Sequence, residues 1–395
     1  MKIYRLIAGI LLCTALQARA QIQENVQRVI SLPNIPGYQT LKCDFHLHTV
    51  FSDGHVWPTF RVKEALRDGL DVISLTEHID FEGFPDEIRR DYNKSYDLAA
   101  AAAAKSKKLL MIKGAEISPR VQPYHHNALF LKDANILPID YMKSGKKEFV
   151  MKDQMTHEEL IAPFIEAKKQ DAFVFYNHPG YSWWDRKDTA IFTSFHKELL
   201  DRNILGGVEV VNSGIYNIIA HRMAMKYNLT MFSNSDEHYD LFPRYAKTHR
   251  PMTLVFAREN TEASIKEALK ARRTALYFDD YLIARQEEAE SFFKSAIQVS
   301  TERKTRKGEP ILIVNLFNNS DIPFRVQATA DYNIERFPQG QATLTPHDTT
   351  TFILKAVWEY PKETNLNMKV SNILVSPDEP LSTRFVLFTE EKKNK

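Results

Sequence analysis

The sequence predicts an α/β protein, most economically a barrel, followed by a small antiparallel β-sandwich. Three observations carry this. From Leu41 to about Phe278, apolar strand-like runs alternate with helix-like segments, the pattern of a sheet covered by helices. Many of the runs end in histidine or carboxylate. Beyond about residue 285 the helices give way to short strand-like runs separated by turns, as in an all-β unit.

Strands are expected at 41–48, 71–76, 109–116, 127–131, 172–176, 207–211, 230–233 and 253–257, several of them near-continuous apolar runs. Helices are expected at 59–68, stopping before Gly69, at 92–108, whose alanine run suits close packing on a sheet, and at 156–169, 192–201, 217–227 and 261–271. Strand-like runs at 311–317, 324–330, 350–357, 367–375 and 384–388 make up the second unit, with turns at Asn318-Asn319-Ser320, Phe337-Pro338-Gln339-Gly340 and Ser376-Pro377-Asp378.

Residues 1–20 have the features of a secretory signal. Lys2 and Arg5 precede the apolar stretch Leu6–Leu16, and Ala18-Arg19-Ala20 forms a cleavage site. The expected division is a signal at 1–20, a barrel at 21–284 and a β-rich domain at 285–395. Cleavage removes Lys2, Arg5 and Arg19, so the formal charge falls from +2 by three, to −1. That balance opposes bulk attraction to nucleic acid or anionic membrane. Cys43 is then a lone cysteine without an internal disulfide partner. The expectation is export to a periplasm, with no stable membrane insertion after cleavage. The sequence does not set an oligomeric state.

The chemistry-bearing segments are Asp44-Phe45-His46-Leu47-His48-Thr49, Ser52-Asp53-Gly54, Thr76-Glu77-His78, Gly114-Ala115-Glu116, His125-His126-Asn127, Asn177-His178-Pro179-Gly180 and Ser235-Asp236-Glu237-His238. Strand alternation places Asp44, His46 and His48 on one side, so both imidazoles can hold one ion. Asp236-x-His238 repeats the spacing with one carboxylate. Imidazole and carboxylate without thiolate suit Zn, Mn or Fe, with no choice among them.

In this order the motifs resemble the PHP family, named for its polymerase and histidinol-phosphatase members. The resemblance covers residues 42 to about 240 and is carried by H-x-H-T-x-x-S-D-G, T-E-H, G-x-E, a histidine before an apolar strand, N-H-P and D-x-H. It implies a distorted (β/α)7 barrel and hydrolysis of a small phosphate ester, a diester in preference to a monoester, by a metal-bound hydroxide in a two- or three-metal centre. It also implies that His46, His48, Glu116 and Asp236 hold a first metal and form the catalytic core. Glu116 would bridge to a second metal held by His126 and His178, and Asp53, His78 and His238 would hold a third. Between adjacent His125 and His126, His126 is favoured because it abuts the apolar run 128–131.

Weaker substrate-facing candidates are Arg120, Arg244, Trp183 and Trp184, with surface ion pairs and loop packing as the competing readings. Asp44 reads either as an orienting partner of a ligand histidine or as a structural ion pair. His221 and His249 lack motif context and read as helix-surface and loop residues. Two other functions fit parts of the sequence: an amidohydrolase-type enzyme acting on C–N or C–O bonds, and a non-catalytic metal-binding secreted protein. The first does not need Thr76-Glu77-His78 or Ser52-Asp53-Gly54, and the second does not need so complete a ligand set.

Overall fold

The structure is a computed structural model and describes residues 27–81, 83, 84, 86–89, 91–119, 121–138, 155–180, 190–356 and 362–388. The first part runs β1 (Gln39–Asp44), α1 (Pro58–Arg67), β2 (Val72–Leu75), α2 (Lys94–Ala103), β3 (Leu110–Ile117), β4 (His126–Leu129), α3 (His157–Lys169) and β5 (Phe173–Tyr176). It continues through α4 (Ser194–Asp201), β6 (Leu205–Asn212), β7 (Ile215–Tyr216), α5 (Ile218–Lys226), β8 (Thr230–Asn234), α6 (Phe242–Tyr245), β9 (Met252–Ala257), α7 (Glu262–Lys270), β10 (Thr274–Phe278) and β11 (Tyr281–Ala284). Local chemistry explains the boundaries. Pro58 opens α1, where its missing N–H costs nothing. Thr156 and Glu159 close a reciprocal capping box on α3. Every residue of β2, β5 and β9 is buried, and Ala99 and Ala103 let α2 approach the sheet closely.

Strands β1, β2 and β3 pair in parallel, as do β5, β6 and β8. Between these sets β4 runs antiparallel to both β3 and β5. Only residues 118–125 separate β3 from β4, too short for the crossover a parallel pair needs. The parallel pairing is interrupted here, and also at β9, which lies antiparallel beside β1; these are the distortions of the expected barrel. The ends of the β1 and β8 segments meet through one parallel bridge, Leu47 to Glu237.

Helix α8 (Gln286–Ala296) leads into β12 (Ile297–Arg306), β13 (Glu309–Asn318), β14 (Phe324–Ala330), β15 (Asn333–Glu335), β16 (Gln341–Leu344), β17 (Thr349–Lys355), β18 (Glu363–Ser376) and β19 (Glu379–Phe388). One sheet has the order β12-β13-β17-β15, and the other contains β16, β14, β18 and β19. Strand β12 was not expected, because its Gln-Val-Ser-Thr-Glu-Arg-Lys-Thr-Arg run is mostly exposed and carries little apolar signal. The second sheet continues into the first part: β18 pairs in parallel with β11, Leu282 to Ile373 and Ile283 to Leu374. Phe292 and Phe293 of α8 share a core with Leu282, Leu316, Phe324 and Ile373. Hydrogen-bonded sheet and a common apolar core therefore join the two parts. Among the described residues, no helix is long and apolar enough to cross a membrane.

Candidate metal centre

The backbone brings the motif segments together before any side chain is considered. Asp236 N–H donates to His46 O at 3.0 Å, and His48 N–H donates to Glu237 O at 3.2 Å. Thr76 N–H donates to Leu47 O, and Glu116 N–H donates to Glu77 O, both at 2.9 Å. The strand ends after β1, β2, β3 and β8 thus form one continuous surface. Two donors sit on backbone with positive φ, His178 at 26° and Asp236 at 49°. Such conformations occur where surrounding contacts over-determine them, and they cluster at functional sites.

On this surface His46 Nε2 and His48 Nε2 lie 3.2 and 3.3 Å from Asp236 Oδ1, and 3.5 and 3.4 Å from Glu116 Oε2. A tetrahedral ion with bonds of about 2.1 Å has donor–donor edges of roughly 3.4 Å. His46 Nε2, His48 Nε2 and Glu116 Oε2 are buried with no hydrogen-bond partner, so the spacing is that of ligands around an ion. Buried polar atoms left unpaired are costly; a cation satisfies all three at once. The other carboxylate oxygen, Glu116 Oε1, lies 3.1 Å from His125 Nδ1 and 3.8 Å from His178 Nε2. At the far end Asp53 lies 3.1 Å from His238 Nε2 and 3.4 Å from His78 Nε2. Four donor groups result: His46-His48-Asp236, His46-Glu116-His178, His78-Glu116-His125 and His48-Asp53-His78-His238. The residues present fit a multinuclear divalent centre.

A second set of buried groups aims the donors, and the sequence reading had not assigned most of it. Glu209 Oε1 accepts from His46 Nδ1 at 2.9 Å, which leaves Nε2 as the lone pair facing the centre. Its Oε2 accepts from His178 N–H at 2.8 Å and Asn212 Nδ2 at 2.9 Å. Asn177 Nδ2 donates to Glu116 Oε1 at 2.7 Å. Glu77, the middle residue of Thr76-Glu77-His78, accepts from Thr49 N–H at 3.0 Å and Ser52 Oγ at 2.6 Å, and so pins the loop bearing Asp53. Gly54 ends that loop with no room for a side chain: a Cβ there would lie 2.6 Å from the His48 carbonyl carbon. Asp44 is an ion-pair partner that also contacts the residue before Asp236, while the His46 imidazole is oriented by Glu209. Asp44 accepts from Ser235 N–H at 3.2 Å, next to Asp236, and pairs with fully buried Arg250 at 3.2 Å.

Arg61 is the strongest of these supports. Its guanidinium is fully buried on α1 and donates to the carbonyls of His48 at 3.0 Å, Glu237 at 2.7 Å and Tyr239 at 2.7 Å. It also pairs with Glu64 at 2.8 Å, and Glu64 accepts from Leu241 N–H at 2.7 Å. One cation therefore ties the His46-x-His48 segment to the Asp236-x-His238 segment.

Burial opposes charge on every donor, and the neighbours decide the outcome. For His46, Asp236, Glu209 and Glu116 outweigh burial and hold the imidazole well above its ordinary value. His78 is pushed up to about 10 by Glu116 and Asp53 against the effect of burial. His178 and His238 are also raised. Burial and the nearby His238 drive His48 down to about 3. Against burial, the imidazoles hold Glu116 and Asp236 well below the usual carboxylate range. Without metal, then, the centre is a network of carboxylates and imidazoles held toward the protonated form, except His48 and His125, which are lowered. The raised histidines stabilise the metal-free fold most below their ordinary pKa of about 6.5. That stabilisation is lost as pH rises through the folded values, near 10 in the case of His78. Ligand histidines must be neutral, so metal uptake at pH 8 is expected to release protons. Titration calorimetry in buffers of different ionisation heat should give a buffer-dependent enthalpy, and identical enthalpies would contradict this charge state.

The structure brings together His46, His48, Asp53, His78, Glu116, His178, Asp236 and His238. It does not bring His126 to the centre. His126 and Ala128 share one face of β4, where His126 stacks on Tyr176 at 4.8 Å and meets Phe164 edge-on at 5.0 Å. The other face carries His125 and Asn127, so His125 reaches Glu116. The correction follows from the strand's two-residue period. Arg244 stands at the rim, 47% exposed, donating to Ser213 O at 2.5 Å and lying 3.7 Å from Glu237. Arg120, Trp183, Trp184 and the segment 1–20 lie outside the described residues. His221, read as a surface residue, is instead buried, with Nδ1 3.0 Å from the Tyr216 hydroxyl; burial and Arg285 lower it to about 4.

The fold and donor set define a metal-dependent hydrolase. A two-domain protein from Bacteroides vulgatus, containing a predicted PHP-like metal-dependent phosphoesterase, is similar over 91% of this chain and 99% of its own, with 37% identity and a TM-score of 0.78. This chain belongs to that PHP-like metal-dependent phosphoesterase family. A family model described as an Ig-like domain matches residues 297–386. A proposed metal-dependent phosphoesterase from Bifidobacterium adolescentis matches at 18% identity and TM-score 0.37, over 50% of this chain and 87% of its own. An amidohydrolase from Chromobacterium violaceum matches at 17% and 0.35, with the same coverages. No curated protein matches the chain.

Proposed function

We propose that this protein is an exported phosphoesterase that favours phosphodiesters and works with two to three Zn, Mn or Fe ions. The observation that carries the reading is the position of Glu116, whose two oxygens face different groups of donors: His46, His48 and His78 on one side, His125 and His178 on the other. A carboxylate so placed would serve both donor groups at once if ions were bound, the arrangement that two-metal hydrolysis uses. When bound, such ions supply Lewis acidity toward water and toward a phosphate ester. The chain's own residues do the positioning. Asn177 fixes the rotation of Glu116, Glu209 sets the His46 tautomer, and Asn212 Nδ2 holds Asp236 Oδ2 at 3.2 Å.

The preference for diesters rests on charge. A monoester dianion calls for more cationic groups than a diester monoanion, and Arg244 at the rim is already engaged with Ser213 O and Glu237. Export rests on the features of residues 1–20.

The test is elemental analysis of residues 21–395 paired with hydrolysis of bis(p-nitrophenyl) phosphate and p-nitrophenyl phosphate, with Mn or Zn added. Two to three ions and faster turnover of the diester are expected. Bound metal with turnover of an amide or lactone instead would move the protein to C–N or C–O hydrolysis. Failure to bind metal after reconstitution would overturn the catalytic reading.

A further inference from the structure

Two aromatic rings stand beside the Asp53-His78-His238 end of the centre without a structural reason to be there. His55 and Tyr239 stack with centroids 4.5 Å apart and planes 8° from parallel. Both are exposed, Tyr239 by 60%, so burial in a core does not explain the pairing. Each is next to a donor in the chain: His55 follows Asp53 and Gly54, and Tyr239 follows His238. Those two donors approach to 3.1 Å.

The pair is held by its backbone. His55 N–H donates to His238 O at 2.7 Å, Tyr239 N–H donates to Glu237 Oε1 at 3.1 Å, and Arg61 donates to Tyr239 O at 2.7 Å. Two residues after His55 in the chain, Trp57 is 56% exposed, with Phe51 edge-on to it at 6.1 Å. Rigid, exposed aromatic area at the lip of a polar site is what binding sites use to gain contact at low entropic cost.

We propose that His55 and Tyr239 form a stacking platform that holds a planar aromatic or heteroaromatic ester group of the substrate. The proposal rests on the phosphoesterase reading. With phosphorus at the donor cluster, an ester group projecting past Asp53 and His238 meets the exposed face of the pair. An aromatic group stacks there, while a small aliphatic group leaves the rings wet. Stacking of this kind is worth up to about tenfold in affinity.

The experiment is calorimetric binding of phenylphosphonate and methylphosphonate to the metal-loaded mature chain, which needs no turnover. The expected result is about tenfold tighter binding of phenylphosphonate. Tyr239→Ala should bring the ratio of the two affinities close to one, and Tyr239→Phe, which keeps the ring, should retain it. Equal affinities in the parent protein, or a ratio that survives Tyr239→Ala, would overturn the platform while leaving the phosphoesterase reading in place. If neither phosphonate binds a protein shown to carry metal, the platform fails, and the phosphoesterase reading fails with it if bis(p-nitrophenyl) phosphate is also left intact.

Discussion

Replacing Asp236 with alanine should lower kcat for a phosphodiester by on the order of a thousandfold or more, about 4 kcal/mol of transition-state stabilisation. The reason is geometric. Asp236 Oδ1 lies within 3.3 Å of both His46 Nε2 and His48 Nε2, and Asp236 Oδ2 lies 3.8 Å from His178 Nε2. Removing the carboxylate takes one anionic donor from the middle of the cluster and leaves the imidazoles to face one another. Metal content should fall by at least one ion per chain. The fold should persist, because β8, which precedes Asp236, is held by its pairing with β6 and not by this side chain. Near-parental activity in a purified Asp236→Ala protein of measured metal content would remove the centre from its assigned place. Loss of activity together with loss of the near-ultraviolet dichroism would say only that the variant misfolds. His46→Ala is therefore the companion variant and carries the same expectation.

The second large effect concerns stability. Arg61→Met should cost about 3–5 kcal/mol, the range for removing one partner of a buried ion pair. Glu64 would lose its Arg61 guanidinium while remaining buried, keeping Leu241 N–H as a donor, and the carbonyls of His48, Glu237 and Tyr239 would lose their donor together. Arg61→Lys keeps a charge, but an ammonium cannot reproduce the planar fork that reaches three carbonyls and a carboxylate. It should recover only part of the loss. Denaturant midpoints of the metal-free proteins measure this directly. A change below about 0.5 kcal/mol, the size of a typical surface substitution, would mean that the network does not bear on stability.

Arg61 and Glu64 also show what the sequence conceals. Three residues apart on a helix, they read as a solvent-exposed ion pair. Only the meeting of α1 with the ends of the β1 and β8 segments turns them into a buried tie. Glu209 is different, because it did leave a signal. A single carboxylate within Gly207-Val208-Glu209-Val210-Val211, an otherwise apolar strand, needs a partner if the strand is buried. The partner is His46, 163 residues away, and nothing local points to it. Glu77 stands inside a motif whose histidine carries the metal-ligand signal, although its role in pinning the loop at 49–54 is as specific as that of a ligand.

Much of this protein was fixed by local chemistry. Apolar runs of strand length, alanine- and proline-marked helices and the change of texture near residue 285 determine an α/β part followed by a β-sandwich part. Histidines and carboxylates placed at strand ends determine the chemistry of the centre, because side-chain alternation along a strand is a local property of the chain. Tertiary structure decided the rest. The direction of β4 was set by the short connection at 118–125. The choice of His125 over His126 was set by the phase in which β4 pairs with β3 and β5, since a shift of one residue exchanges the two faces of a strand. The identities of Glu209, Asn177 and Arg61 as supports follow from contacts between segments far apart in the chain. A repeating pattern shows which face of an element is buried, whereas a charge partner is known only once distant segments are in contact.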